Sequence, residues 1–137
     1  MNLPSPIPVY TKTFVVDHPL DPARYLVHAC LEGPEAGVYY RGRGEIRAGE
    51  VSTRIELPLY TRTLATDFTV QITPIYSGAS TGTGYATTEV EYCSFTVYGP
   101  PGRFYWHAYG CRTAIDVEPL RAAVTVQGDG PYRWLLR

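Results

Sequence analysis

The sequence predicts an all-β fold: an antiparallel β-sandwich or jelly-roll-like domain of about eight to ten short strands. Three observations predict it. Short runs rich in β-branched and aromatic residues recur along the chain, several with strict alternation of apolar and polar side chains. Clusters of Gly and Pro punctuate these runs. No stretch carries the apolar period of an amphipathic helix.

The start, with prolines at Pro4, Pro6 and Pro8, reads as an extended polyproline-type arm over residues 1–10. A single β domain over residues 11–137 follows, a length that suits one core. Thr11 to Val16 is the first expected strand, ended by Asp17-His18-Pro19 and Asp21-Pro22. Arg24 to Leu31 is the second. Gly37 to Ile46 is the third, with Gly42 and Gly44 marking a bulge or a close backbone approach. Val51 to Leu57 alternates cleanly and suggests a hairpin with the strand before it.

Pro58 to Thr66 is the one candidate helical turn, with Leu59, Arg62 and Thr63 at helical spacing. Asp67 to Tyr76 returns to strand, and Ser77 to Gly84 reads as a loop tip. Tyr85 to Tyr92 and Ser94 to Tyr98 are further strands, closed by Gly99-Pro100-Pro101-Gly102. Arg103 to Arg112 follows, with Phe104, Trp106 and Ala108 on one face and Tyr105, His107 and Tyr109 on the other. A last strand is expected over Ala123 to Gln127. Tyr132 and Trp134 are placed to dock the tail.

Composition narrows the function. A formal net charge of −1 gives no electrostatic footprint for nucleic acid. No apolar run approaches the roughly 20 residues of a membrane span, and residues 1–10 lack the basic start and apolar core of a secretion signal. The expectation is therefore no membrane insertion and synthesis in a reducing cytoplasm. Cys30, Cys93 and Cys111 are odd in number and contain no CxxC pair, so they read as three thiols, with a Cys93–Cys111 bridge as the lesser alternative.

No catalytic or cofactor motif is present in a defensible form, and no cofactor is expected. Asp17, His18, His28, Glu32 and Glu35 are metal-ligand types, but their spacing matches no helical or knuckle pattern and two proline turns intervene, so no metal site is assigned. Asp17 is better read as capping its turn through its side chain. His28 and Cys30 share a strand face at about 7 Å, long for a nucleophile and its base. Glu32 and Glu35 could form a carboxylate pair of the glycosidase kind, but Gly33-Pro34 intervenes, and pairing with Arg41 or Arg43 is the plainer reading.

Binding is the better-supported class. Alternation forbids Tyr39 and Tyr40 from both facing the core. Tyr105 likewise opposes Phe104 and Trp106. Aromatics on both strand faces point to association or to stacking on sugar rings. The candidate binding residues are Tyr39, Tyr40, Tyr105, Tyr109, Glu32, Glu35 and Arg41.

One resemblance adds to this. Phe14 to Pro19, Leu26 to His28, Glu32 to Glu35 and Val38 to Gly42 are similar to the marks of a β-rich module of large DNA virus proteins, phage fibre-type proteins and bacterial surface proteins. A second block resembles the same module at Leu57-Pro58, Tyr60, Leu64, Asp67-Phe68 and Gln71 to Pro74. A weaker echo lies in EVEYCSFTVYG and in Gly110-Cys111-Arg112. The resemblance implies a viral structural or surface component, in the virion or in host cytoplasm during assembly. It would self-associate, with a trimer favoured, and bind another virion protein or a glycan. A carbohydrate-binding module is the alternative. A glycan-cleaving or self-processing enzyme ranks below both.

Overall fold

The computed structural model describes residues 13–29, 33–78, 84–128 and 133–136. The fold is all-β and antiparallel. Its strands are β1 (Thr13–Asp17), β2 (Tyr25–Ala29), β3 (Ala36–Ile46), β4 (Ser52–Glu56), β5 (Thr66–Pro74), β6 (Ala86–Thr87), β7 (Ser94–Tyr98), β8 (Gly102–Thr113), β9 (Thr125–Gln127) and β10 (Trp134–Leu136). One short helix, α1 (Thr61–Leu64), stands between β4 and β5. The proline arm, Cys30, Leu31, Glu32, most of the expected loop tip and Tyr132 lie outside the described residues, as does the side chain of Trp134.

Two three-stranded sheets form the body, in the orders β3-β8-β5 and β4-β7-β6. Four links carry the chain from one sheet to the other: β3 to β4, β4 through α1 to β5, β5 to β6 and β7 to β8. The result is a jelly-roll-like wrap in which antiparallel ribbons fold over on themselves. Gly49 at φ 85° and a Glu50 N–H donating to the Arg47 carbonyl (3.0 Å) shape the first corner. At the β7–β8 corner, Tyr85 lies over Gly99, donates its hydroxyl to the Pro100 carbonyl (3.1 Å) and packs on Phe104.

This corrects the expected β3–β4 hairpin. β3 pairs with β8 (Val38 opposite Gly110) and β4 with β7 (Ile55 opposite Phe95), so consecutive strands lie in different sheets. The five residues 47–51 turn the chain between layers and not within one.

The facing sides of the sheets make the main core. β7 contributes Phe95 and Val97, and β8 contributes Phe104 and Ala108, all at or near complete burial. Alternation along each strand dictates this, since successive side chains leave opposite faces. Each buried Phe or Val stabilises the fold by about 1.5–3 kcal/mol. Gly42 and Gly44 are seats for rings: Trp106 lies across Gly42 and Phe104 across Gly44, each directly opposite in the ladder. No bulge occurs at either; the β3–β8 register shifts only between Ala36 and Gly37.

A smaller core of Val38, Leu64 and Ala65 sits against Leu26, Tyr40, Tyr60 and Phe68. The buried face of α1 is Thr61 and Leu64, while Leu59, Arg62 and Thr63, the residues at helical spacing, are exposed. Thr61 Oγ1 donates to the Pro58 carbonyl (2.8 Å), so its hydroxyl is satisfied while its methyl packs inward. The β1–β2 hairpin closes this core through Leu26. Its turn is held by His18, whose Nδ1 accepts from the N–H groups of Leu20 and Asp21 (both 3.1 Å), and not by Asp17.

Candidate binding face

The outer side of the β3-β8-β5 sheet collects the residues that alternation turns away from the core. Tyr39, Arg41, Arg43 and Glu45 come from β3, and Arg103, Tyr105, His107 and Tyr109 from β8. Thr69, Gln71 and Thr73 come from β5, opposite Tyr109, His107 and Tyr105. The face is therefore a grid of rings, guanidinium groups and small polar side chains.

Its rings are ordered. Tyr39 and His107, diagonal neighbours in the ladder, stack with centroids 5.8 Å apart and planes 6° from parallel. Arg43 places its guanidinium 5.3 Å from the centroid of Tyr105, its direct cross-strand partner. This cation–π contact holds the Tyr105 ring upright at a half-exposed site. Tyr109 leans along the sheet to cover Gly37, which has no side chain to obstruct it.

The Glu35 carboxylate lies beside the Tyr109 phenol. Burial first, then the Glu35 charge, then Cys111, and last a hydrogen bond to Glu35, push the Tyr109 phenol above its ordinary pKa of 10.0. Glu35 thus faces a phenol, where pairing with Arg41 or Arg43 was expected. At this end of the face lies an open groove of about 1060 Å³, bordered by Leu26, His28, Glu35, Tyr39, His107 and Tyr109 among others. Burial, and after it the charge of Arg112, hold His28 below its ordinary 6.5.

Of the expected binding residues, Tyr39, Arg41, Tyr105 and Tyr109 share the outer face, and Glu35 borders it. Glu32 lies outside the described residues. Tyr40 turns the other way, into the smaller core, where its ring packs against Tyr60 at 6.3 Å. Its hydroxyl is buried, and among the described residues the Tyr60 phenol is the one polar group that approaches it, without well-formed hydrogen-bond geometry. Burial, with the Tyr60 phenol beside it, pushes the Tyr40 phenol well above the ordinary 10.0. Sequence reasoning left His107, Arg43 and Gln71 out of the site. The alternation that set His107 beside Tyr105 and Tyr109 was enough to include it. Gln71 needed the β5–β8 pairing, which no local pattern announces.

The arrangement is suited to contact. Planar rings and fork-shaped guanidinium groups recognise flat or polar partners without bond-making. The two described thiols are free: Cys93 is buried and donates to the Leu59 carbonyl (3.3 Å), and Cys111 sits beside the Thr113 carbonyl. Among the described residues no three His, Cys, Asp or Glu side chains converge as metal ligands, and no helix is long and apolar enough to cross a membrane. No protein-family model, curated protein or solved structure matches the chain.

Proposed function

We propose that the chain is a viral structural or surface module of the fibre type, working by self-association and by offering the outer face of β3-β8-β5 to a partner. The resemblance of its first sequence block to such modules supports the class. One structural observation carries the self-association. Among the described residues, more large apolar side chains are exposed than buried. The uncovered ones include Val15, Tyr25 and Val27 on the outside of the β1–β2 hairpin, a contiguous set by the ladder register. Contiguous apolar surface of this kind marks an interaction site.

The test is the solution mass, by light scattering behind size-exclusion chromatography over a wide range of concentrations. A stable trimer is the expected result. A chain that stays monomeric at every concentration overturns the reading.

The Tyr39–His107 stack favours a second reading, carbohydrate binding by the outer face. Parallel rings flanked by Arg41 and Gln71 offer a sugar both an apolar platform and hydrogen-bond donors. An oligosaccharide panel tested on the native chain and on Tyr39→Ala decides it. Binding lost in the variant supports this reading, and a flat response from the native chain removes it.

A further inference from the structure

Among the described residues beyond Thr113, none belongs to either core cluster and none is buried. Yet this stretch is not a polar tail. It carries Ile115, Val117, Leu120, Val126, Leu135 and Leu136, all exposed, Leu120 at 78%.

The ribbon at its end sharpens the point. In the β9–β10 pair, Val126 stands opposite Leu135 on one face, and Leu136 stands opposite Thr125 on the other. The ribbon therefore has apolar residues on both sides, and both are uncovered. Among the described residues it pairs with no other strand. An isolated two-stranded ribbon is at best marginal in water, because the entropy lost in ordering it is not offset by burial.

A matching surface exists on the same chain. The outside of the β1–β2 hairpin presents Val15 opposite Val27, with Tyr25 opposite Asp17 one pair further on the same side. Val15 and Val27 are each 59% exposed and Tyr25 is 73%. Together, the exposed parts of these three residues and of the six arm residues amount to about five whole apolar side chains, on the order of 300–600 Å². At one interface, arm and face together supply that as the apolar centre, and a polar rim makes up the rest of the roughly 1,600 Å² that both partners give a standard interface.

We infer that the described residues beyond Thr113, 114–128 and 133–136, form an exchange arm, and that the β9–β10 ribbon packs on the Val15–Tyr25–Val27 face of a second copy of this chain. A second copy is the occupant because it brings the complementary surface itself. Each copy gives an arm and receives one, so both uncovered faces are satisfied with no further protein, and the ring closes on itself. A formal charge of −1 sets little repulsion against the approach of identical chains. The inference rests on the self-association reading and adds the segment and the surface that carry it.

The experiment uses the full chain in three forms: native, the arm variant Val126→Asp/Leu135→Asp, and the face variant Val15→Arg/Val27→Arg. Each is measured for solution mass, with near-ultraviolet circular dichroism as the check on folding. The substituted residues are exposed and outside both core clusters, so the dichroism of the core aromatics around Trp106 is expected to persist. The native chain is expected as an oligomer and each variant as a folded monomer, a drop in mass of at least two-fold. Mixing the two variants is expected to restore association, since one retains a native face and the other a native arm. If the native chain associates and the folded variants do not fall apart, the exchange arm is overturned while self-association stands. If only the arm variant falls apart, the hairpin is not its receptor and the inference fails in that half. If the native chain is a monomer, both readings fail.

Discussion

Trp106 lies across Gly42, its indole 2.9 Å from the point where a β-carbon would stand. The two are direct partners in the β3–β8 ladder, so the glycine makes room for the ring that meets Phe95 edge-on at 5.5 Å. Gly42→Ala is therefore expected to lower stability by about 1–3 kcal/mol, the usual cost of overpacking, although alanine ordinarily suits a strand better than glycine. Gly33→Ala, where an added carbon meets nothing within 4 Å, is expected to be near neutral. Urea unfolding of both variants checks the pair. Equal midpoints would refute the seat.

Tyr92 and Cys93 both have positive φ, 48° and 64°, in a turn closed by reciprocal Glu91–Ser94 backbone hydrogen bonds. A two-residue turn of this kind normally takes Asn-Gly. Cys93 is fixed by burial, but Tyr92 is 89% exposed and loses nothing on replacement. Tyr92→Asn is expected to raise stability by about 1 kcal/mol, the relief of one left-handed residue. Thermal unfolding would show it as a higher midpoint, and a lower one would mean that the ring makes a contact the fold needs.

The Tyr40 hydroxyl is buried with no well-formed hydrogen bond among the described residues, only the Tyr60 phenol beside it. An unsatisfied buried group costs about 1–3 kcal/mol. Tyr40→Phe keeps the ring against Tyr60 and removes the cost, so it is expected to stabilise the chain or leave it unchanged. A clear loss in unfolding free energy would show that the hydroxyl is satisfied in solution.

His28 has its pKa lowered in the folded chain, by burial and then by Arg112. As pH falls through 6.5, the unfolded chain takes up the proton more readily than the folded one. Stability therefore drops there, and the loss levels off once pH is below the folded pKa. His28→Gln is expected to flatten that part of the profile. Melting temperatures of both proteins measured from above to below pH 6.5 test this, and parallel curves would exclude His28 as a source.

Much of this was legible in the sequence, and the boundary is physical. The split of β8 into Phe104, Trp106 and Ala108 against Tyr105, His107 and Tyr109 follows from a period of two, and the structure has it. Partner choice was not legible, because β3 and β4 are joined by a short turn but pair with strands far along the chain. The Tyr92–Cys93 turn was hidden because neither residue announces a left-handed conformation. The same holds for Tyr40: alternation says that one of two adjacent tyrosines faces inward, and only packing against Tyr60 and Leu64 decides which.

The ladder that seats Trp106 on Gly42 also sets when the chain can fold. β3 is complete early in the sequence, but its partner runs from Gly102 to Thr113, and Val38 meets Gly110. During synthesis the first half must wait with its apolar face open until β8 has been made. Such non-local pairing makes assembly slow once it begins, since a long loop must close before any contact compensates for it. A growing chain in that interval carries an uncovered apolar face, the state in which aggregation competes most with folding.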